Sequence, residues 1–233
     1  MISPWRDERL RQVVTASMVL GLAIGVFAIA FGVAAVSAGA SVPQTCVMSL
    51  LIFTGASQFT AVSVIGSGGS AAAAFGGAAL LAARNAVYGL AMAPYLRTWR
   101  LPTRLVAAQL TLDESTAMSA AQDDDDHRRA AFWVTGASIY VFWNVFTLVG
   151  ALLGTTIDPQ TWGLDAAFPA AFIAILWPLL RDRKAATAAA IGAVVCLVLT
   201  PFTPIGVPIL CASVGVLVGV PAPHPTTDEA AAT

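Results

Sequence analysis

The sequence predicts an all-α polytopic membrane protein with about six spanning helices and two broken, re-entrant hairpins arranged as an inverted repeat, and three observations carry that prediction. Of 233 residues, 58% are hydrophobic and 11% charged, with a mean hydropathy of +0.78, a balance too apolar for a water-soluble domain. Apolar runs of about 20 residues, enough to cross roughly 30 Å of hydrocarbon, recur along most of the chain. Two further apolar stretches are interrupted by polar residues near their middles. A membrane β-barrel is excluded, because its strands alternate apolar and polar over about ten residues, and these Ala, Val, Leu and Gly stretches do not alternate.

Taken in order, residues 1–12 are polar, with Arg6, Arg9 and Arg11, and form a cytoplasmic amino-terminal segment. The apolar stretch from Val13 to about Ala38 exceeds the roughly 7–15 residues of a secretory signal core, so it is a retained first span. Residues 41–70 are apolar but broken by Thr54, Gly55, Ser57 and Gln58. Residues 71–96 form a second span, followed by the basic stretch RTWRLPTR at 97–104. Residues 105–121 are moderately apolar, with Asp113 and Glu114 at their centre. QDDDDHRR at 122–129 is a hydrated loop whose spacing matches no calcium loop. Spans follow at about 130–154, 166–180, 185–200 and 205–220, giving one permease domain over 13–220. The polar, Pro-rich residues 221–233 are expected to be a disordered tail. Cys46, Cys196 and Cys211 all stand in apolar segments without CxxC spacing and read as small apolar residues.

Loop charge sets the orientation, because cytoplasmic loops near span ends collect Lys and Arg. Apart from Arg84, the basic residues fall in clusters at 6–11, 97–104, 128–129 and 181–184. All four lie on one face if 41–70 and 105–121 are hairpins that enter and leave on one side each, from opposite faces. Both termini are then cytoplasmic, and the loop TTIDPQTWGLD, which has no basic residue, lies outside.

Broken helices at membrane depth are tolerated where they are buried in protein or line a wet cavity, and transporters bind substrate at such places. Half-helix amino termini there attract an anionic group, and acidic side chains or freed carbonyls attract a cation. Arg84 lies between the two breaks in sequence, with Asn85 beside it and Tyr88 one turn on. An arginine at a helix centre costs roughly 2.5–3.5 kcal/mol on insertion scales, so it faces a partner or a cavity. It is a tether to Asp113 or Glu114, a clamp for a substrate carboxylate, or a side chain that snorkels to the interface. Ser57 and Gln58 either satisfy a broken helix or contact substrate, and Asp113 and Glu114 either stand in water or hold a proton or an ammonium. No nucleophile and base pair, zinc-type His/Glu cluster or phosphate loop is visible, so an enzyme is not expected, and neither is a cofactor or a metal. Gly21, Gly25 and Gly32 allow close helix contacts, read first as internal packing.

TGASQF at 54–59, RNAVYGLAMAPYL at 84–96, LTLDE at 110–114 and GLDAAFPAAFIAIL at 163–176 resemble, in order, the signatures of the AzlC family over about residues 10–220. The resemblance implies the large subunit of a two-component exporter of branched-chain amino acids, working with a small four-span partner of the AzlD family. It places Gly55, Ala56, Ser57, Gln58, Arg84, Tyr88, Gly89, Asp113 and Glu114 on motif positions, and Phe59 and Asn85 beside them. The family often has Asn two positions before the arginine and His directly after it, whereas Ala82 and Asn85 stand here. The expected substrate site is therefore Gly55, Ser57, Gln58, Phe59, Arg84, Asn85 and Tyr88. Without that His, any proton coupling falls on Asp113 or Glu114.

Overall fold

A computed structural model describes residues 7–96, 99–156, 173, 176–177, 180–204 and 207–218. Among them regular structure is helical, with no strand. Arg6, Arg97, most of the loop expected at 155–165, most of the span expected at 166–180 and the carboxyl-terminal tail lie outside the described residues. The chain divides into two units, Met1–Phe172 and Ile173–Thr233.

The first unit is built on two 30-residue helices, α1 (Glu8–Ser37) and α7 (Asp125–Gly154), both long and apolar enough to cross a membrane. In lipid there is no hydrophobic drive between helices, so close approach depends on small residues and interhelical hydrogen bonds. Ser17 and Thr135 share a 2.8 Å hydrogen bond between hydroxyls, and Ser138 donates to the Ser17 carbonyl at 2.9 Å. Gly21 lies against Ser138, Gly25 against Phe142 and Phe146, Gly32 against Thr147 and Ala151, and Gly154 against Val33. The paired numbers rise together, so α1 and α7 run parallel, and the three glycines of α1 serve internal packing.

Between them the chain makes α2 (Val42–Ile52), α3 (Ala56–Gly66), α4 (Ala71–Leu96), α5 (Leu101–Gln109) and α6 (Asp113–Ala120). A capping box between Ser41 and Gln44, with Pro43 in the first turn, starts α2. As α2 advances, Ser49 bonds Thr147 and then Phe53 packs on Tyr140, so α2 runs antiparallel to α7. After the break, Phe59 packs edge-on to Phe31 and Gly66 reaches Ala38, so α3 runs back parallel to α1. The segment therefore enters and leaves at one end of the bundle, and its break lies beside Tyr140 and Trp143, halfway along α7.

The second hairpin enters from the opposite end. Trp99 stacks on Trp133 near the start of α7, α5 carries the chain inward until Leu110 rests on Gly136, and α6 returns to the loop that begins α7. The two tips meet. The Gln109 amide donates to the carbonyls of Leu50 at 2.9 Å and Leu51 at 3.3 Å, and the Tyr140 hydroxyl donates to Leu50 at 3.1 Å. These bonds occupy carbonyls that the end of α2 leaves without helical partners. The breaks also match in construction: Gly55 N–H donates to the Gln58 side chain and Leu112 N–H to the Ser115 hydroxyl, each bond closing a new helix start. The pairs α1 with its hairpin and α4 with its hairpin repeat in opposite directions, as the expected inverted repeat requires.

Gly55 has φ +56° and ψ −88°, a conformation that a side chain strains. Gly55→Ala should lower stability by about 1–3 kcal/mol, read as a drop in melting temperature of the detergent-purified chain. An unchanged melt would show that the break does not depend on this backbone.

The end where α1 and α7 start is tied by charge. Arg9 bonds Asp123 at 2.8 Å, and the His127 ring, before the apolar part of α7, lies 2.7 Å from Asp124 and 3.1 Å from Asp7. The expected acidic loop is thus exposed but knitted to α1. Backbone hydrogen bonds, chiefly from Leu10, hold Asp7 below 3.8, and those from His127 hold Asp124 below the same value. The hydrogen bond to Asp124 pushes His127 above 6.5. The His127 contribution to stability is complete below pH 6.5 and lost as pH rises through its raised value. The carboxylate contribution is present above pH 3.8 and lost as pH falls through the lowered values. Melting temperature should therefore fall as pH rises above 6.5, and His127→Gln should remove that component. A slope of the same size in the variant would contradict the assignment.

The second unit contains α8 (Arg183–Leu199), capped by Asp182, then α9 (Val207–Ala212) and a short 3-10 helix, Ser213–Val218. Gly192 lies against Ala212 and Gly215 against Ala188, so the later segment folds back along α8. The stretch expected to span at 185–200 is helical, in the 17-residue α8. The one expected at 205–220 is divided between two short elements among its described residues.

Candidate functional site

The residues that the sequence marks as a site are carried by the two hairpin tips and by α4, which touches the second hairpin at Asp113 and the first at Thr60. Gly77 on α4 lies against Thr60 on α3, and two turns on Arg84 reaches Asp113 on α6 at 3.5 Å, so α4 spans both breaks. Arg84 and Asp113 side chains are 43% and 40% exposed. Their single contact is not accompanied by a hydrogen bond from Arg84 to any described residue, which leaves the guanidinium donors open. The sequence left Asp113 and Glu114 as equal partners for the arginine; the structure chooses Asp113 and leaves Glu114 half-buried beside it.

The two half-helix starts differ in electrostatic character. The first turn of α3 has no acidic residue and no side-chain cap, so its partial positive charge is not neutralised. The first turn of α6 carries both Asp113 and Glu114, which compensate its dipole and leave a net negative charge. One break is thus suited to an anionic group and the other to a cationic one.

Polar atoms without partners concentrate on these elements. Among the described residues, buried side-chain atoms lacking a hydrogen bond are Thr54 Oγ1, Ser57 Oγ, Asn85 Oδ1, Thr116 Oγ1, Trp143 Nε1 and Asn144 Oδ1. Native proteins rarely leave such atoms unsatisfied, so each marks a place for water or a ligand. Thr54 and Thr111 occupy matching positions in the two breaks, yet Thr111 bonds the Ala107 carbonyl whereas Thr54 is free.

Gln58 and Phe59 both occupy buried places at the first break. Gln58 is wholly buried; its oxygen accepts from Gly55 N–H and its nitrogen donates to the Met48 carbonyl, so it fastens the break. Phe59 is buried in a cluster with Phe31 and Trp143 and forms a wall behind the break. Tyr88 is half-buried, and a methyl group added at Gly89 beside it would meet nothing within 4 Å.

Trp143 and Asn144 were missed. Trp143 is buried with its ring 3.5 Å from where a Gly55 side chain would begin, and its N–H is unpaired. The signal available was an asparagine next to a tryptophan inside the apolar run YVFWNVF, which local hydropathy averages away. Gln109 and Tyr140, which join the tips, were missed for the same reason.

The AzlC protein family matches this chain over residues 19–157, an interval that contains both hairpins, α4, α7 and the later part of α1. The chain belongs to the AzlC family. A relative from Helicobacter pylori (strain ATCC 700392 / 26695), described as an uncharacterized membrane protein, is 28% identical over 192 residues, covering 79% of this chain and 82% of its own. No solved structure matches. Within the AzlC match lie three of the four motifs, and GLDAAFPAAFIAIL falls beyond it.

Proposed function

We propose that this AzlC-family chain is the large subunit of a secondary transporter that exports branched-chain or similar apolar amino acids across the inner membrane, together with a small four-span AzlD-type partner. The observation that carries this reading is the meeting of two oppositely directed broken hairpins, one half-helix start open to an anion and the other bearing two carboxylates. A zwitterion needs both. The Arg84 guanidinium and the α3 amides hold the carboxylate, Asp113 or Glu114 receives the ammonium, and Tyr88 and Phe59 bound the apolar side chain. About six spans with both termini cytoplasmic complete the arrangement, supported by basic residues gathered at one end of the first unit, where Arg9, Arg100, Arg104, Arg128 and Arg129 lie. A membrane-protein relative agrees with it.

The Arg84 and Asp113 pair favours one other reading, an assembly subunit in which these residues tether helices and move no substrate. Movement of labelled leucine, valine and methionine in vesicles, with and without the small partner, separates the two; no movement of any of them with both subunits present and folded would overturn the transport reading. Asp113→Asn and Glu114→Gln test coupling. The variant at the coupling residue should lose gradient-driven export yet keep exchange of substrate for substrate, whereas equal loss of both activities at normal abundance would assign it to binding instead.

A further inference from the structure

A cleft of about 210 Å³ opens where α4 ends and α7 begins, lined among others by Met92, Tyr95, Trp99, Asp125, Arg129 and Phe132. It is smaller than the roughly 300–1,000 Å³ of pockets for drug-sized ligands, which fits a single small metabolite. Both signs of charge and an apolar floor converge there. Met92 and Phe132 are buried at its base.

The two arginines of the cleft are not equivalent. Arg128 is engaged, donating to the Gln122 carbonyl at 2.8 Å and the Tyr95 hydroxyl at 3.3 Å. Arg129 makes neither an ion pair nor a hydrogen bond to any described residue. Its guanidinium lies 5.5 Å over the Trp99 ring, and Trp99 is itself stacked on Trp133, so the cation is held in place by a ring face while its donors remain unused. Asp125 is largely exposed and touches Arg128 at 3.6 Å without a side-chain hydrogen bond, so its carboxylate is open to a second cation.

We propose that this cleft is a loading site for a zwitterionic amino acid with an apolar side chain, Arg129 taking the carboxylate and Asp125 the ammonium before the molecule passes to the central site. The proposal rests on the transport reading above. Its second support is the route inward. Met92, Tyr88 and Arg84 are spaced four residues apart on α4 and share one face, so the same helix lines the cleft and, about 12 Å away, the central site.

Sided kinetics test it. Vesicles of both orientations, containing this chain and its small partner, are loaded with labelled leucine, and the half-saturating concentration is measured from each face. Arg129→Gln should raise it about tenfold from the face that carries Asp7 and His127 and leave the opposite face unchanged; Asp125→Asn should act in the same direction. Arg129→Lys, which keeps a cation over Trp99, should restore most of the loss and serves in place of the Gln variant if that one does not accumulate. Equal effects on both faces, or none on either, would overturn the loading site, and the central reading would still stand if Arg84→Lys weakens leucine on both. No leucine movement by the unaltered complex would overturn both.

Discussion

Arg84→Lys should accumulate normally and bind leucine roughly ten- to a hundredfold more weakly, the loss expected when a charge-assisted hydrogen bond worth about 1.5–3 kcal/mol is removed. Lysine keeps the charge but not the planar fork that grips a carboxylate in two places. Arg84→Ala should bind none and still fold. The pair with Asp113 is one 3.5 Å contact between half-exposed side chains, so its contribution to stability is at most about 1 kcal/mol, a few degrees in melting temperature for a chain of this size. Asp113 is not stranded by the change, because it stands in the first turn of α6, where the helix dipole favours an anion. Leucine binding and melting of Arg84→Ala, and of the double variant with Asp113→Asn, are measured together. A single variant that unfolds early and is rescued by the double one would make the pair a structural tether and reject the carboxylate clamp.

Gly150→Val should prevent the chain from accumulating in the membrane. A side chain at Gly150 would run into the backbone carbonyl of Ile29 on α1, and backbone cannot step aside as a flexible side chain can. Separating α1 from α7 would also loosen the Ser17 and Thr135 hydroxyl pair and the bond from Ser138 to the Ser17 carbonyl. Overpacking costs typically about 1–3 kcal/mol, and more where the obstacle is main chain. Gly89→Ala is the contrast, since nothing lies within 4 Å of the new methyl group and alanine is the better helix former by up to about 1 kcal/mol. Its melting temperature should be unchanged or higher. Comparable yields and melting of Gly150→Val and the unaltered chain would show that the parallel contact of α1 and α7 does not hold the fold together.

Local sequence determined that the first unit is helical, where its helices break and which charge lies within an apolar span. Thr54, Gly55 and Ser57 interrupt one run, Asp113 and Glu114 the other, and each interruption became a half-helix start. Gly21, Gly25 and Gly32 were legible as a packing stripe because their spacing follows the helical period. The re-entry of the hairpins was inferable from the gathering of basic residues on one face, a long-range argument that hydropathy alone does not contain: a broken segment that crosses and one that turns back have the same local composition. Tertiary structure decided the rest. It chose Asp113 over Glu114 for Arg84, committed Gln58 to closing the break, brought Gln109 and Tyr140 to the carbonyls at the end of α2, and left the Trp143 N–H and the Asn144 oxygen unpaired. The physical reason is that a buried polar atom is satisfied or orphaned by what other segments of the chain place against it, and no window of sequence around that atom records their positions.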